Sequence, residues 1–428
     1  LQAALERLEA ASANPYVTIL VQIAGGGDGD TWRYQVRPGQ GYSWYMGELD
    51  MSDPQTLSDF VIWARDAHPG ARVYLAVADH GRGTSGIAWD DTTGEDEFIT
   101  VAELGSALRG ATFDGSAPLD VVHYDACLMA MLENAYQIRE YADYMVASQN
   151  LGWSAFAYER YASPVTTDTT PAELATAVVH AYYDATDGYP RTLSALDLAQ
   201  AETVAEAVST LATALRANLA AHKYHVQSSR MAAQKFDSRD YHVINNDDEY
   251  LDLYDLARLL KQNVPDDAVE DAAQGVMDAV DTLVIAEQHA SGYYLDHPYW
   301  DLANAHGASI YFPREHGGWG YDDYVSHVSY RFTVDGTWDE FLEDYYGLIG
   351  TPPETPVDPG LPPVLELSDS VTVTKSVTPQ GAVAYGDLLT YTLTVSATPG
   401  TQVGLYDPLT DTTFLRFVTR PTGVITSD

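Results

Sequence analysis

Two short strings carry the residue types that nucleophilic chemistry needs. One is Val77-Ala78-Asp79-His80-Gly81; the other is Tyr124-Asp125-Ala126-Cys127-Leu128-Met129. Cys127 is the single cysteine among 428 residues. The thiolate is the reactive form of cysteine, and an imidazole can take its proton and later return it to a leaving amine. Attack on a carbonyl also needs donors for the developing oxyanion. The backbone N–H groups of Cys127 and Gly81 are the candidates, glycine because it lets a substrate approach the main chain. Each residue also has a plainer reading. A lone cysteine is usually a buried structural residue, and most of the twelve histidines must be solvated or structural. Asp125 could serve only as a helix N-cap.

The elements around the two strings favour the chemical reading. Residues 73–77 and 119–122 are apolar and rich in β-branched side chains, as buried strands are. Each runs directly into one of the strings. After Cys127, Leu128, Met129, Met131 and Leu132 recur at helical spacing, which predicts a helix starting at the cysteine. Its dipole and free N–H groups would then lower the thiol's pKa. Further strands are expected at 16–23, 32–36, 144–148 and 308–313. Helices are expected at 1–12, 54–67 (capped by Asp53), 101–108 (capped by Thr100, with Glu103 completing a capping box), 171–183, 201–219, 251–260, 266–286 and 338–346. Strands alternating with helices indicate an α/β fold with an at least partly parallel sheet. Sites in such sheets form beyond the carboxyl ends of the strands, where His80 and Cys127 fall.

Residues 351–363 are proline-rich and read as a semi-rigid extended linker. Beyond them, 371–378 and 389–395 alternate between polar and mostly apolar residues, the pattern of a half-buried β module, with too few strands expected for a complete sandwich. The expected organisation is therefore a domain over 1–350, a linker over 351–364 and a β module over 365–428.

The net charge of −40, with 62 acidic residues against 22 basic ones, disfavours nucleic acid and anionic membranes as partners. No apolar run approaches the roughly 18 residues of a membrane span. The opening residues read as an amphipathic helix, so an export signal is expected to have been removed or to lie upstream. Two acidic clusters could hold a cation: Asp90, Asp91, Glu95, Asp96 and Glu97, and Asn245, Asn246, Asp247, Asp248 and Glu249. Neither has the spacing of an EF-hand loop, and a solvated loop is the default reading of both. No cysteine and histidine grouping suggests zinc.

The strings Val77-Ala-Asp-His80-Gly81 and Tyr124-Asp-Ala-Cys-Leu-Met129 resemble those of the clostripain-like (C11) cysteine peptidases, whose fold is caspase-like. Weaker echoes in the same order include Gly47 to Pro54, Thr192 to Asp197, Leu251 to Asp255, Ser309 to Pro313 and Trp338 to Leu342. The resemblance covers about residues 15–346. It implies an αβα sandwich with a mostly parallel sheet and a His80–Cys127 dyad endopeptidase, His80 as acid and base and Cys127 as nucleophile. It also implies that Asp125 lies at the base of the S1 pocket and selects Arg or Lys; a partly buried carboxylate suits such a cation. Trp153 and Ser154, which follow the 144–148 strand, are expected at the S1 wall, with core packing an equal alternative for Trp153.

Such relatives often use calcium, although the chemistry itself requires no cofactor. Many cut themselves after a basic residue between the histidine and the cysteine, where this chain offers only Arg82 and Arg109. The family's opening strand is missing here, so the chain is expected to begin inside the domain. The C-terminal module resembles bacterial surface β-sandwich repeats of the DUF11 type, Ig-like in architecture, which implies a secreted or cell-surface protein. The alternative function is a non-catalytic binding or adhesion protein on a peptidase-like fold.

Overall fold

Period-two alternation along five strands builds the centre of the molecule. The strands are β1 (Tyr74–Ala78), β2 (Leu119–Asp125), β3 (Ala142–Ala147), β4 (Arg191–Asp197) and β5 (Val284–Ala290), side by side in that order. Val121, Val146, Leu193 and Ala195 pack on one face, against Val178, Val179 and Tyr182 of a helix. Their neighbours Val122, Met145, Ala147 and Leu196 pack on the other. Helices therefore cover both faces: α1 (Pro54–Ala67), α2 (Val101–Ala111), α3 (Leu132–Ile138), α5 (Ala201–Ala217) and α6 (Asp267–Leu283) build the larger cluster, and α4 (Pro171–Ala185) the smaller. The computed structural model describes residues 2–349 except loop positions 26, 28, 40, 91, 93–96, 156, 240, 241, 296, 319 and 327–329, together with the backbone of four strands between 371 and 418.

The helix starts follow their capping residues. Asp53 accepts the Gln55 N–H at 2.8 Å ahead of Pro54. Thr100 and Glu103 form both halves of a capping box at α2, and Thr170 and Glu173 do the same at α4.

Where expectation and structure differ, tertiary pairing is the cause. The sheet is mixed, not mostly parallel: β1, β2 and β3 are parallel, but β4 runs antiparallel to β3 and β5 antiparallel to β4. The chain beyond β3 returns to the same end of the sheet before β4 begins. The Trp153 indole N–H, just after β3, donates to the Pro190 carbonyl, just before β4, at 2.6 Å. The expected helix over 266–286 stops at Leu283, and its last residues join β5. The helix expected at 251–260 is preceded by a strand, Tyr250–Asp252. The expected strand over 16–23 is shorter, Ile19–Ile23. It is half-buried and forms an antiparallel meander with Thr31–Val36 and Tyr42–Gly47, outside the central sheet.

The chain divides into two compact units, Leu1–Pro352 and Pro353–Asp428. In the second, Val371–Thr378 pairs antiparallel with Thr390–Ala397, and Gln402–Asp407 with Thr412–Val418. The proline-rich linker lies outside the described residues.

A buried acid sits on α3, directly after the cysteine loop. Glu133 is fully buried, and its Oε1 accepts the Tyr311 N–H at 2.9 Å and the Tyr324 hydroxyl at 2.8 Å, while Oε2 has no partner among the described residues. Burial pushes its pKa up from 4.5 to about 7. The folded state therefore holds a proton that the unfolded state releases between about 4.5 and 7. Stability from this group is fully present below 4.5 and is lost as pH rises through that window. Glu133→Gln is expected to remove a pH-dependent loss of about 3 kcal/mol. Denaturant melts of both proteins from pH 4 to 8 check it: a wild-type-minus-variant difference that does not change with pH contradicts the expectation.

Candidate active site

Strand register sets the site. β1 and β2 are parallel neighbours with Ala78 opposite Asp125. His80 and Cys127 each lie two residues past that shared rung, so both strings leave the same end of the sheet side by side. Gly81 closes the gap between them. A Cβ at Gly81 would stand 2.6 Å from the Cys127 carbonyl oxygen and 2.9 Å from Ala126 Cβ. Only glycine lets the two loops touch here. On its other side Gly81 bridges Ile87, flanked by the bonds Ala88 N–H to His80 O (3.2 Å) and Arg82 N–H to Gly86 O (3.0 Å). In such a pair the Gly81 N–H points away from Ile87. His80 itself is exposed.

The helix expected at Cys127 is displaced. β2 runs to Asp125, and α3 starts only at Leu132, after Met131. Between them the chain is a loop that turns at Cys127–Leu128 and borrows partners from its neighbours. Leu128, at φ +66°, donates to Asn150 O at 3.0 Å, Ala130 donates to Ser148 O at 3.0 Å, and Ser309 donates to Ala130 O at 2.8 Å. These bonds outcompete the helical pattern, because they join the loops after β2 and β3 and the strand Ser309–Tyr311. Two expectations fall with that helix. Cys127 is not at the N-terminus of α3, and the N-cap of that helix is Met131, not Asp125.

The Cys127 thiol is half-buried. Burial is the largest influence on it and pushes its pKa up; Asp237 and Asp125 add to the rise, while a backbone N–H from Gly152 works against it. That N–H lies 3.3 Å from Sγ. The resting group at neutral pH is therefore the thiol.

Asp125 ends β2 half-buried, its Oδ2 accepting the Tyr158 hydroxyl at 2.9 Å. Tyr74, Tyr161 and Tyr182 also feel its charge, which with their burial keeps their phenols protonated. Among the described residues no Lys or Arg forms an ion pair with Asp125. Trp153 packs among Tyr189, Tyr294 and Trp300, with ring centroids 5.0, 4.7 and 6.1 Å away. Ser154 beside it is exposed. The sequence leads one to expect that residues 149–158, after the 144–148 strand, approach the cleft, but it assigns no role to Gly152, Tyr158 or Tyr182. Tyr158 and Tyr161 stand at helical spacing just past the 149–155 loop, a signal that was available; Gly152 and Tyr182 meet the site only through the fold.

The acidic clusters do other work. Asp90 is buried and accepts the Met51 N–H (2.8 Å) and both donors of Thr92. Asp248 accepts three backbone N–H groups, from Ser238, Arg239 and Asn245. Asp247 pairs with Arg314. Asp91 and Asp96 lie outside the described residues. Among the described residues no group of three or more His, Cys, Asp or Glu could hold a metal ion. Asp90, Asp247 and Asp248 thus have protein partners for their carboxylates among the described residues.

These features define an α/β protein with a candidate thiol nucleophile and a candidate imidazole base on adjacent parallel strands. The chain belongs to the clostripain family, whose model matches residues 7–345. It is 25% identical over 290 residues to clostripain of Hathewaya histolytica, an alignment covering 56% of this chain and 53% of that protein. The chain thus spans about half the length of the curated relative it matches. Its fold is similar to that of a secreted C11 cysteine protease from Bacteroides thetaiotaomicron in complex with an irreversible peptide inhibitor (TM-score 0.59, 16% identity, 79% of this chain and 95% of that one). It is also similar to an inactive zymogen C11 protease from Parabacteroides distasonis (TM-score 0.56, 16% identity, 79% and 92%). Family membership supports a protease function.

Proposed function

We propose that this protein is a cysteine endopeptidase that cleaves after Arg, and also Lys, through a His80–Cys127 dyad. The observation that carries the reading is the shared rung Ala78–Asp125, from which both strings emerge in contact through Gly81. Because burial favours the neutral thiol, the proton leaves Sγ for the His80 imidazole as the nucleophile attacks. Sγ bonds to the scissile carbonyl carbon, and the carbonyl electron pair moves onto oxygen. The Gly81 and Cys127 N–H groups receive that oxyanion. The imidazolium then protonates the leaving amine as the C–N bond breaks. Water, deprotonated by His80, hydrolyses the thioester and restores the thiol.

Asp125 is the S1 recognition group. It is half-buried and unpaired by any described cation, and Tyr158 orients one of its oxygens. A guanidinium or ammonium at P1 supplies the missing counter-charge. The relative described as secreted and the paired strands beyond residue 371 support a location outside the cell or on its surface. No helix among the described residues is long and apolar enough to cross a membrane.

A set of fluorogenic peptides with Arg, Lys or Asp at P1, assayed with and without calcium, tests the reading. Cleavage after Arg and Lys, with Asp left intact, is the expected result. Cleavage after Asp overturns the role of Asp125, and no cleavage by folded protein favours a binding function.

Self-cleavage is not expected between the two strings. Arg109 is in the last turn of α2 and ion-paired to Asp114 at 2.6 Å, while proteases bind extended chain. Arg82 directly follows Gly81 at the site itself, too close to be bound there as substrate, and residues 83–108 contain no Lys or Arg. Mass spectrometry of stored wild-type protein should find this interval intact. A cut after Arg109 that disappears in Cys127→Ala contradicts this.

A further inference from the structure

We propose that the Gly152–Trp153 segment is the cradle for the Cys127 thiolate, with the Gly152 N–H as donor to Sγ, and that Tyr182 is the positioning residue that fixes it. The inference rests on the reading of Cys127 as the nucleophile and adds the group that makes the buried sulfur usable.

Three sets of contacts converge on this segment. The Gly152 N–H stands 3.3 Å from Sγ. The next N–H, that of Trp153, donates to the Tyr182 hydroxyl at 2.7 Å, and the Trp153 indole donates to Pro190 O at 2.6 Å. The segment is thus fastened on the side away from the sulfur, by one side chain of α4 and by the entry to β4. Finally, a Cβ on Gly152 would lie 3.2 Å from Ala126 O and 3.6 Å from the Cys127 nitrogen, so the segment runs tight against the cysteine loop.

The chemistry needs such a donor. With α3 starting at Leu132, Cys127 does not sit at the start of the helix that follows it. Burial, Asp237 and Asp125 all favour the neutral thiol; the Gly152 N–H favours the thiolate. Tyr182 suits the fastening role. It is 2% exposed, packs with Val178 and Val179 under the sheet, and stays protonated because of its burial and the nearby Asp125 and Cys127. No bond from Tyr182 to Sγ exists, so it acts through the Gly152–Trp153 backbone.

Because Cys127 is the single cysteine, alkylation by iodoacetamide reports on it alone in the full chain. The rate is followed against pH for wild type, Gly152→Ala and Tyr182→Phe, with thermal melts of each. Gly152 does not use the left-handed region, so alanine is conformationally tolerated, but its Cβ pushes the segment off by a few tenths of an ångström. Alkylation at pH 7 is expected to fall roughly tenfold in Gly152→Ala and roughly threefold in Tyr182→Phe, with both profiles displaced to higher pH. Peptide hydrolysis should lose kcat more than it gains KM.

Wild-type profiles in both folded variants overturn the proposal. A displaced profile in Gly152→Ala beside an unmoved one in a folded Tyr182→Phe overturns the role of Tyr182. Should Tyr182→Phe not fold, Gly152→Ala decides. The alkylation readout needs no protease activity. Hydrolysis that survives Cys127→Ala therefore defeats the reading of Cys127 as the nucleophile, while the alkylation profiles still decide whether the Gly152 N–H favours the thiolate.

Discussion

Replacing Cys127 by alanine is expected to abolish peptide hydrolysis, with a fall in kcat/KM of at least about 10⁴-fold, and His80→Ala is expected to match it within about tenfold. The two losses should not multiply. Without the sulfur there is no acyl-enzyme for His80 to serve. Without the imidazole, the proton has no acceptor, since burial and the two nearby carboxylates hold it on sulfur. The double variant should therefore be about as slow as either single one. The shared rung between β1 and β2 makes this a strong test, because neither side chain has a structural partner whose loss would unfold the sheet. His80 is exposed, and among the described residues the Cys127 sulfur meets the Gly152 backbone, its N–H at 3.3 Å and its carbonyl at 4.0 Å. Steady-state kinetics beside thermal melts check it. Losses that multiply, or a folded His80→Ala with near wild-type kcat/KM, contradict the dyad.

The second large effect belongs to Asp125. Asp125→Asn keeps the shape of the side chain and can keep the Tyr158 hydroxyl as donor to its remaining oxygen, but it removes the charge. Activity on Arg and Lys substrates is expected to fall by about 10²- to 10³-fold, because a P1 cation entering a half-buried site would lose its counter-ion. Peptides with uncharged P1 residues should gain relative to Arg. The same substitution gives an internal control. Asp125 is one of the groups that raise the Cys127 pKa, so the variant thiol should alkylate somewhat faster at neutral pH. Slower hydrolysis of Arg peptides with faster alkylation is the signature of lost recognition. Slower alkylation would mean that the site has collapsed.

The local features of the fold were legible because local chemistry decides them. Asp53 and Pro54, and Thr100 with Glu103, start their helices as their side chains dictate. The apolar runs ahead of His80 and Cys127 are strands for the same reason. What sequence reasoning missed depends on partners distant in the chain. Leu128 to Met131 have helical spacing, yet Asn150, Ser148 and Ser309 hold their backbone open. The direction of β4 follows from the chain returning past Trp153 to Pro190, a relation no window of sequence contains. The site divides in the same way. His80, Gly81, Asp125 and Cys127 stand out by type and position. Gly152 and Tyr182 carry no local signal, because a backbone N–H and a core tyrosine acquire their roles from geometry alone. The acidic clusters show the same limit: composition leaves open what Asp248 does, and three backbone N–H groups from Ser238, Arg239 and Asn245 converge on its carboxylate.

The central claim is that Cys127 is a nucleophile activated by His80 in a site that reads a basic P1 residue. Covalent capture tests it most directly. The intact chain is incubated with an arginyl peptide chloromethyl ketone or with its aspartyl counterpart, and the adduct is mapped by mass spectrometry. The account predicts a stoichiometric thioether on Cys127 with the arginyl reagent, little with the aspartyl one, and strong suppression in His80→Ala and in Asp125→Asn. Equal labelling by the two reagents, or undiminished labelling in His80→Ala, would contradict it.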